Sequence, residues 1–569
     1  MGVKHCFSLL LSLSVTTYLL TATDNPLPQE EPLKKNHILY LVRSNRIPAA
    51  IDSYKEYKTT LGHHDSEILE QIALILLDQA MASHQEENEL ISLYGASLAG
   101  VNSLLDLCEL GMKSHHPNTQ LVALQMAGNI QDDRANDLLC KAFSSDFLGI
   151  RMEAAGYLAH KKYRHAVGYI ESLMHKLPPF FHCFFPRFYA QIGSAEAVNI
   201  LKKMLHDTEL YTRVSAILAI AQYGRDDLIK EIRTAATHLN PAEQEACAFA
   251  LGALGDSHSI QALEVMAKSS EPQVQLAAYK ALANLGKREY LNQIKELAKH
   301  RDLFAIECLA QIETSEDILF ALTKSKDKAI RFNAALGLLK HRDPRCTSAI
   351  LEMLLSKQHD LGFTPHASQG KSMMHWKIIS SASAYGSNDR GKEMLAISLA
   401  LREQVLLDCL ELEQTHFLSI ANELLKAQQK DLIPLLMHLL CNMNNPVVIE
   451  LLKAKAEELG SPFIRNYASL ALYKLKVEGP YEKRIEQWVA SQKETEMIRF
   501  RPITTKATSE TSFNYQLAPE ESSALLVEAL MEIANHHEEK SLDILLDIMR
   551  NGHPKNQAVL AGLLMKALE

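Results

Sequence analysis

Loop punctuation is scarce in this chain: 19 prolines and 23 glycines among 569 residues leave little room for low-complexity linkers. Strand-like alternation of β-branched and aromatic residues is nearly absent, which argues against a sandwich or barrel and leaves an all-helical chain. No CxxC pair occurs. The nine cysteines stand singly, at Cys6, Cys108, Cys140, Cys183, Cys247, Cys308, Cys346, Cys409 and Cys441, so the spacing of a zinc ribbon or a redox dithiol is missing. Several lie on apolar helix faces, as in ACAFAL and IECLA, where a thiol serves as a small hydrophobe. Also missing are an Asn-x-Ser/Thr acceptor and any excess of basic charge. The net charge of −9 argues against a general nucleic-acid binder, whose domain would be basic.

What the chain does have is an internal repeat. Between Glu245 and Leu354 it reads ACAFALGALGDSHSIQALEVM, then VQLAAYKALANLG, then IRFNAALGLLKHRDPRCTSAILEML. Each copy places an aliphatic residue, then Arg or Gln, then small residues with Leu at helical spacing, followed by a polar turn and a second apolar helix. DFLGIRMEAAGYL (Asp146 to Leu158), DTELYTRVSAILAIAQYG (Asp207 to Gly224), DKAIRFNAALGLL (Asp327 to Leu339), PFIRNYASLALYKL (Pro462 to Leu475) and PKNQAVLAGLLMKAL (Pro554 to Leu568) repeat the idea. Ala and Gly at the small positions let helices approach closely, and Leu and Ile fill the grooves between pairs. Asp or Pro ahead of a helix supplies an N-cap or an N1 residue. Arg151, Arg213, Arg331 and Arg465 are expected to reach back to the acid of the preceding turn, Asp146, Asp207 or Asp327 where one exists.

These units resemble HEAT repeats, in particular the short bacterial kind also found in phycobilin-lyase-like proteins. The resemblance covers Asn118 to Leu475 and the last fifty residues, and it implies an all-α solenoid of antiparallel helix pairs wound into a superhelix. It is nearly silent on function, because members of the family bind proteins, cofactors and nucleic acids alike. One HEAT-like subgroup, the deoxyhypusine hydroxylases, binds iron through His-Glu dipeptides set in several repeats. Here the sole His-Glu pair is His537-Glu538, outside the repeat core, which sets that activity aside.

The chain divides accordingly. Residues 1–22 read as a signal peptide: Lys4 is the positive start, Phe7 to Leu20 an uncharged apolar run, and Thr21, Ala22 and Thr23 the small residues before Asp24. That run suits a cleaved signal and is short for a membrane span. Its removal would take the net charge from −9 to −10, Lys4 being its one charge. Residues 23–114 form an N-terminal helical cap, weakly tetratricopeptide-like at AAIDSYKEY, with a long helix over Ser66 to Met81. The HEAT-like array follows at 115–355 and 381–493, interrupted by a loop insertion at 356–380. A long loop excursion occupies 494–523, and a C-terminal helical repeat or cap occupies 524–569.

No compact catalytic set emerges. GKS at Gly370 to Ser372 lacks the upstream glycine of a phosphate loop, Pro365 standing there instead, and no strand precedes it. PPFFHCFFPRFY, Pro178 to Tyr189, is the most unusual stretch. It reads first as filling between irregular repeats, with Pro186 opening a helix, and alternatively as a docking patch or a ligand pocket. KKYRH at Lys161 to His165 reads as a solvated turn. The chain is therefore expected to be an exported, non-catalytic scaffold, placed in a bacterial periplasm or envelope or secreted, that binds a protein partner without metal, cofactor or nucleic acid. The alternatives are a lyase-like enzyme or cofactor-handling protein, and a membrane-tethered assembly factor if the apolar start is retained. Binding energy in docked loops comes from aromatics and Arg. The candidate contact residues are therefore Phe363 and Trp376 in the insertion and Arg499, Phe500, Arg501, Phe513 and Tyr515 on the excursion.

Overall fold

A computed structural model of the chain describes residues 30–356, 401–443, 445–498 and 521–569. The signal segment and all seven candidate contact residues, Phe363, Trp376, Arg499, Phe500, Arg501, Phe513 and Tyr515, lie outside the described residues. So do Gly370 to Ser372 and Cys6.

Among the described residues there are α-helices, short 3-10 turns and no strand. The N-terminal helices are α1 (Glu30–Arg43), α2 (Ile47–Leu61), α3 (Ser66–Met81), α4 (Glu86–Ala99) and α5 (Val101–Gly111). From Pro117 onwards, pairs of helices succeed one another at the spacing of the sequence repeat. Leu148–His160, Leu210–Gln222, Lys328–Lys340 and Pro462–Lys474 are the first helices of the copies read from the sequence. None of the described helices is long and apolar enough to cross a membrane.

Local chemistry sets where these helices begin. The Asp65 carboxylate accepts from the Ile68 amide at 3.2 Å and starts α3. Asp327, Asn240 and Asp302 accept from Ala329, Ala242 and Ala305 in the same manner, at 2.8, 3.0 and 2.9 Å. Prolines 117, 241, 272 and 462 stand at first helical positions, where no intrahelical amide bond is lost. The small-residue positions are where the helices meet: Ala278 and Ala335 are fully buried. All eight described cysteines are unpaired, six of them buried, in agreement with their reading as small hydrophobes. The aromatic stretch is mostly filling too. Phe185, Phe188 and Tyr189 are buried, and Pro186 opens the helix Pro186–Ile192, while Phe180 stays exposed.

The two ends of the chain meet, which nothing in the repeat pattern foretells. The last helix, Gln557–Leu568, packs on α3 and α4, and the helix before it, Glu539–Asn551, packs on α2. Because neighbouring helices also touch along the chain, including from Thr347–Leu355 across to Gln414–Lys426, the solenoid closes on itself. The core reflects this closure. One cluster joins Ile38 through Leu138 directly to Leu276 through Ala567, and the other fills the arc from Leu124 to Leu282. At the joint the backbones nearly touch. A Cβ on Gly562 would stand 1.9 Å from the Gly95 carbonyl oxygen, and one on Gly95 would stand 2.2 Å from that of Ala558. Ion pairs flank the joint: Arg550 grips Asp52 with Nε and Nη2 at 2.5 and 3.0 Å, and Lys58 reaches both oxygens of Asp543 at 2.9 and 3.0 Å. Lys555 bridges Glu87 and Glu496 at 3.0 and 3.1 Å.

Candidate functional site

In five units the fourth residue of the first helix has the same job. Gln120, Arg213, Gln244, Gln275 and Arg331 each donate to the carbonyl oxygen six residues upstream, at 2.7, 2.8, 3.0, 3.3 and 2.6 Å. The acceptors are Ser114, Asp207, His238, Ser269 and Ser325, each in the turn that leads into the helix. A long side chain at this position thus ties each turn to its helix.

This corrects the expectation that the repeat arginines pair with the acid of the preceding turn. Arg213 binds the backbone carbonyl of Asp207, while the Asp207 carboxylate accepts from the Glu209 amide at 2.8 Å and Asp327 caps its own helix. The short Asp side chains are held by backbone amides of their own turn. The arginines then take a carboxylate elsewhere, by their Nε and Nη2 edge. Arg213 holds Glu243, 30 residues on, at 2.7 and 3.3 Å; Arg331 holds Glu352, 21 residues on, at 2.9 and 2.6 Å. Burial pushes the Glu243 carboxyl up, but the hydrogen bonds from Arg213 and His238 outweigh it and hold the group below its usual range.

Two arginines at the same fourth position depart from the pattern: Arg465 in Pro462–Lys474, whose side chain makes no hydrogen bond among the described residues, and Arg151 in Leu148–His160. The Arg151 Nε is buried and meets no hydrogen-bond partner among the described residues. Counting on from Arg151 by 21 and 30 residues, as Arg331 and Arg213 do, reaches Ser172 and Phe181, neither of which carries a charge. In place of an acid the site has a groove of about 560 Å³, lined by Arg151 and by residues of the flanking helices. Lys141 and Lys176 bring positive charge to its walls and Asp137 one negative charge. Phe143 and Tyr169 supply an aromatic wall, their rings stacked with centroids 5.5 Å apart. Cys140 also lines it, but burial pushes its thiol up to about 11, so at neutral pH it is a weak nucleophile.

The groove was not singled out in the sequence, although Arg151 was. The available signal was the comparison of units: an Arg at the fourth position with no acid at either downstream distance. The basic cluster Lys161 to His165 does not line the groove: Lys161 donates to the Ile130 carbonyl, while Lys162, Arg164 and His165 are exposed. Among the described residues no three His, Cys, Asp or Glu side chains gather as a metal site. His537 and Glu538 lie in the turn that enters the penultimate helix.

Comparison with known proteins agrees with the repeat geometry. Residues 226–304 match the family of HEAT repeats. No curated protein matches the chain. Among solved structures, the complex of CpcE and CpcF of phycocyanin lyase from Nostoc sp. PCC7120 aligns at 20% identity and a TM-score of 0.28, over 38% of this chain and 92% of that one. The Kap95:Nup1 complex aligns at 12% identity and 0.32, over 92% and 70%. Importin beta aligns at 12% and 0.30, over 91% and 78%. At these scores the alignments stand as resemblances and carry no further weight. Taken with the helix pairs and their recurrent turn-tying residue, the match marks the chain as an all-α solenoid that carries HEAT repeats at 226–304.

Proposed function

We propose that the protein is a non-catalytic scaffold that binds a protein partner across the surface between its repeats. The observation that carries this is the groove at Arg151, in which a repeat position used elsewhere for internal bonding lines an open groove and is flanked by two lysines and an aromatic pair. Arg and aromatic side chains are the groups that supply binding energy at protein interfaces. The closed solenoid holds them on packed helices rather than on a loop, which lowers the entropy lost on binding. We also place the protein outside the cytosol, on the strength of Lys4 and the apolar run Phe7 to Leu20; an intact mass of the native protein that retains Met1 to Ala22 would refute cleavage.

The test is photo-crosslinking in native cells. A benzophenone amino acid replaces Tyr169, which is 48% exposed at the groove, or Gln261, which is exposed in another unit. A single protein crosslinked from position 169 and not from 261 supports the reading. Equal, unspecific crosslinking from both positions overturns it.

A further inference from the structure

We infer that the Arg151 groove takes a carboxylate side chain, a glutamate or aspartate on an exposed segment of the partner protein; this rests on the partner-binding reading above and names the chemistry of its central contact. The molecule's own repeats show the chemistry. Twice, the Nε and Nη2 edge of a fourth-position arginine closes side-on on a glutamate, Arg213 on Glu243 and Arg331 on Glu352. That edge is planar and matches a carboxylate in a two-bond fork. In the unit of Arg151 both intramolecular supplies of that carboxylate are replaced, by Ser172 and Phe181, and the Arg151 Nε is buried and without a partner among the described residues.

A guanidinium nitrogen buried without a partner is costly, so a carboxylate that draws the Arg151 side chain out to meet it relieves that cost besides making its own bonds. Lys141 and Lys176 against the single Asp137 leave the walls net positive, which favours an acidic visitor and steers its approach. Lys141 is in part engaged already, 3.4 Å from Glu109 on the neighbouring unit. The stacked Phe143 and Tyr169 provide an apolar face beside Arg151. The fitting motif is therefore an acid with an apolar neighbour.

Two variants and one probe set decide the matter. The probe is an array of terminally blocked hexapeptides, each carrying one Glu beside an apolar residue, with a Gln twin for every member, read by fluorescence polarisation against the full chain. Bound Glu peptides are expected to exceed their Gln twins by about tenfold or more, the worth of a charge-assisted hydrogen bond. Arg151→Gln abolishes that preference. Gln is already the residue at this position in three other units, Gln120, Gln244 and Gln275, so the fold accommodates it.

Ser172→Glu supplies the missing acid in cis, at the spacing Arg331 uses. It lowers Glu-peptide binding, and it raises the melting temperature with Arg151 present but not in the Arg151→Gln background. The inference is overturned if the Glu preference survives Arg151→Gln, or if Ser172→Glu shifts melting equally in both backgrounds. Competition by inorganic phosphate alone as strong as by the peptides also overturns it, assigning the groove to free anions. An array without a binder overturns it too, yet leaves partner binding intact if crosslinking from position 169 still yields one protein.

Discussion

At the scale of single residues, what distinguishes this solenoid is where its small and charged side chains are spent. Ala335 and Ala278 are fully buried between helices, so a carboxylate there has neither room nor partner. Ala335→Glu or Ala278→Glu is expected to cost several kcal/mol, about the penalty of an unpaired buried charge, and to lower the thermal midpoint sharply. A near-unchanged melting curve for both would show that these faces are not packed. Asp256 gives a pH signature. Hydrogen bonds from Arg233, at 2.7 and 2.5 Å, hold its carboxyl down at about 2. Because the folded value lies below the unfolded one, near 4, the contribution to stability is fully present above about pH 4 and is lost as the pH falls towards 2. Acid titration of the Asp256→Asn variant, followed by circular dichroism, should show a shallower loss of stability over that window than the parent chain.

At the scale of elements, much of the structure could be read in the sequence. The helix expected over Ser66 to Met81 is α3 to the residue, and the repeat helices fall where the small-residue runs placed them. Periodicity reports which face of a helix is apolar. It does not report what a polar side chain will reach, and so the arginine partners were misassigned: Glu243 and Glu352 lie 30 and 21 residues away and are brought near only by stacking. The groove went unnoticed for the same reason, since it is defined by a partner that Arg151 lacks. The buried ion pair is testable by itself. Glu243 is 2% exposed, and Arg213→Ala strands it, at a cost of roughly 3 kcal/mol or more. Replacing both by Met should cost far less than the single change, measured by urea denaturation. If the single and double variants are equally unstable, Arg213 contributes by packing its stem and not by neutralising Glu243.

At the scale of the whole molecule, an open solenoid needs end units with a polar outer face, whereas here the two ends cover one another. A hint was present in Gln557–Leu568, whose only polar side chains are Gln557 and Lys566. A helix apolar on all sides must be covered on all sides, but nothing in such a pattern says that the cover comes from α3 and α4. Gly562→Val places branched carbon where the Gly95 carbonyl stands, so it is expected to part the joint. Small-angle scattering should then show a larger radius of gyration with little change in helical circular dichroism. An unchanged radius together with unchanged stability would mean that the joint can absorb the side chain, and that the close approach does not hold the ends together.

The joint also carries a consequence in time. Asp52 and Arg550, which it pairs, are 498 residues apart along the chain. A ribosome adding about 5–20 residues per second needs between about 25 and 100 seconds to cover that distance. For that interval the apolar faces of α3 and α4 have been made and their cover has not. Helices made among the first are therefore among the last to be fully covered, and a chain stalled late in synthesis exposes to its surroundings a surface that the finished protein hides.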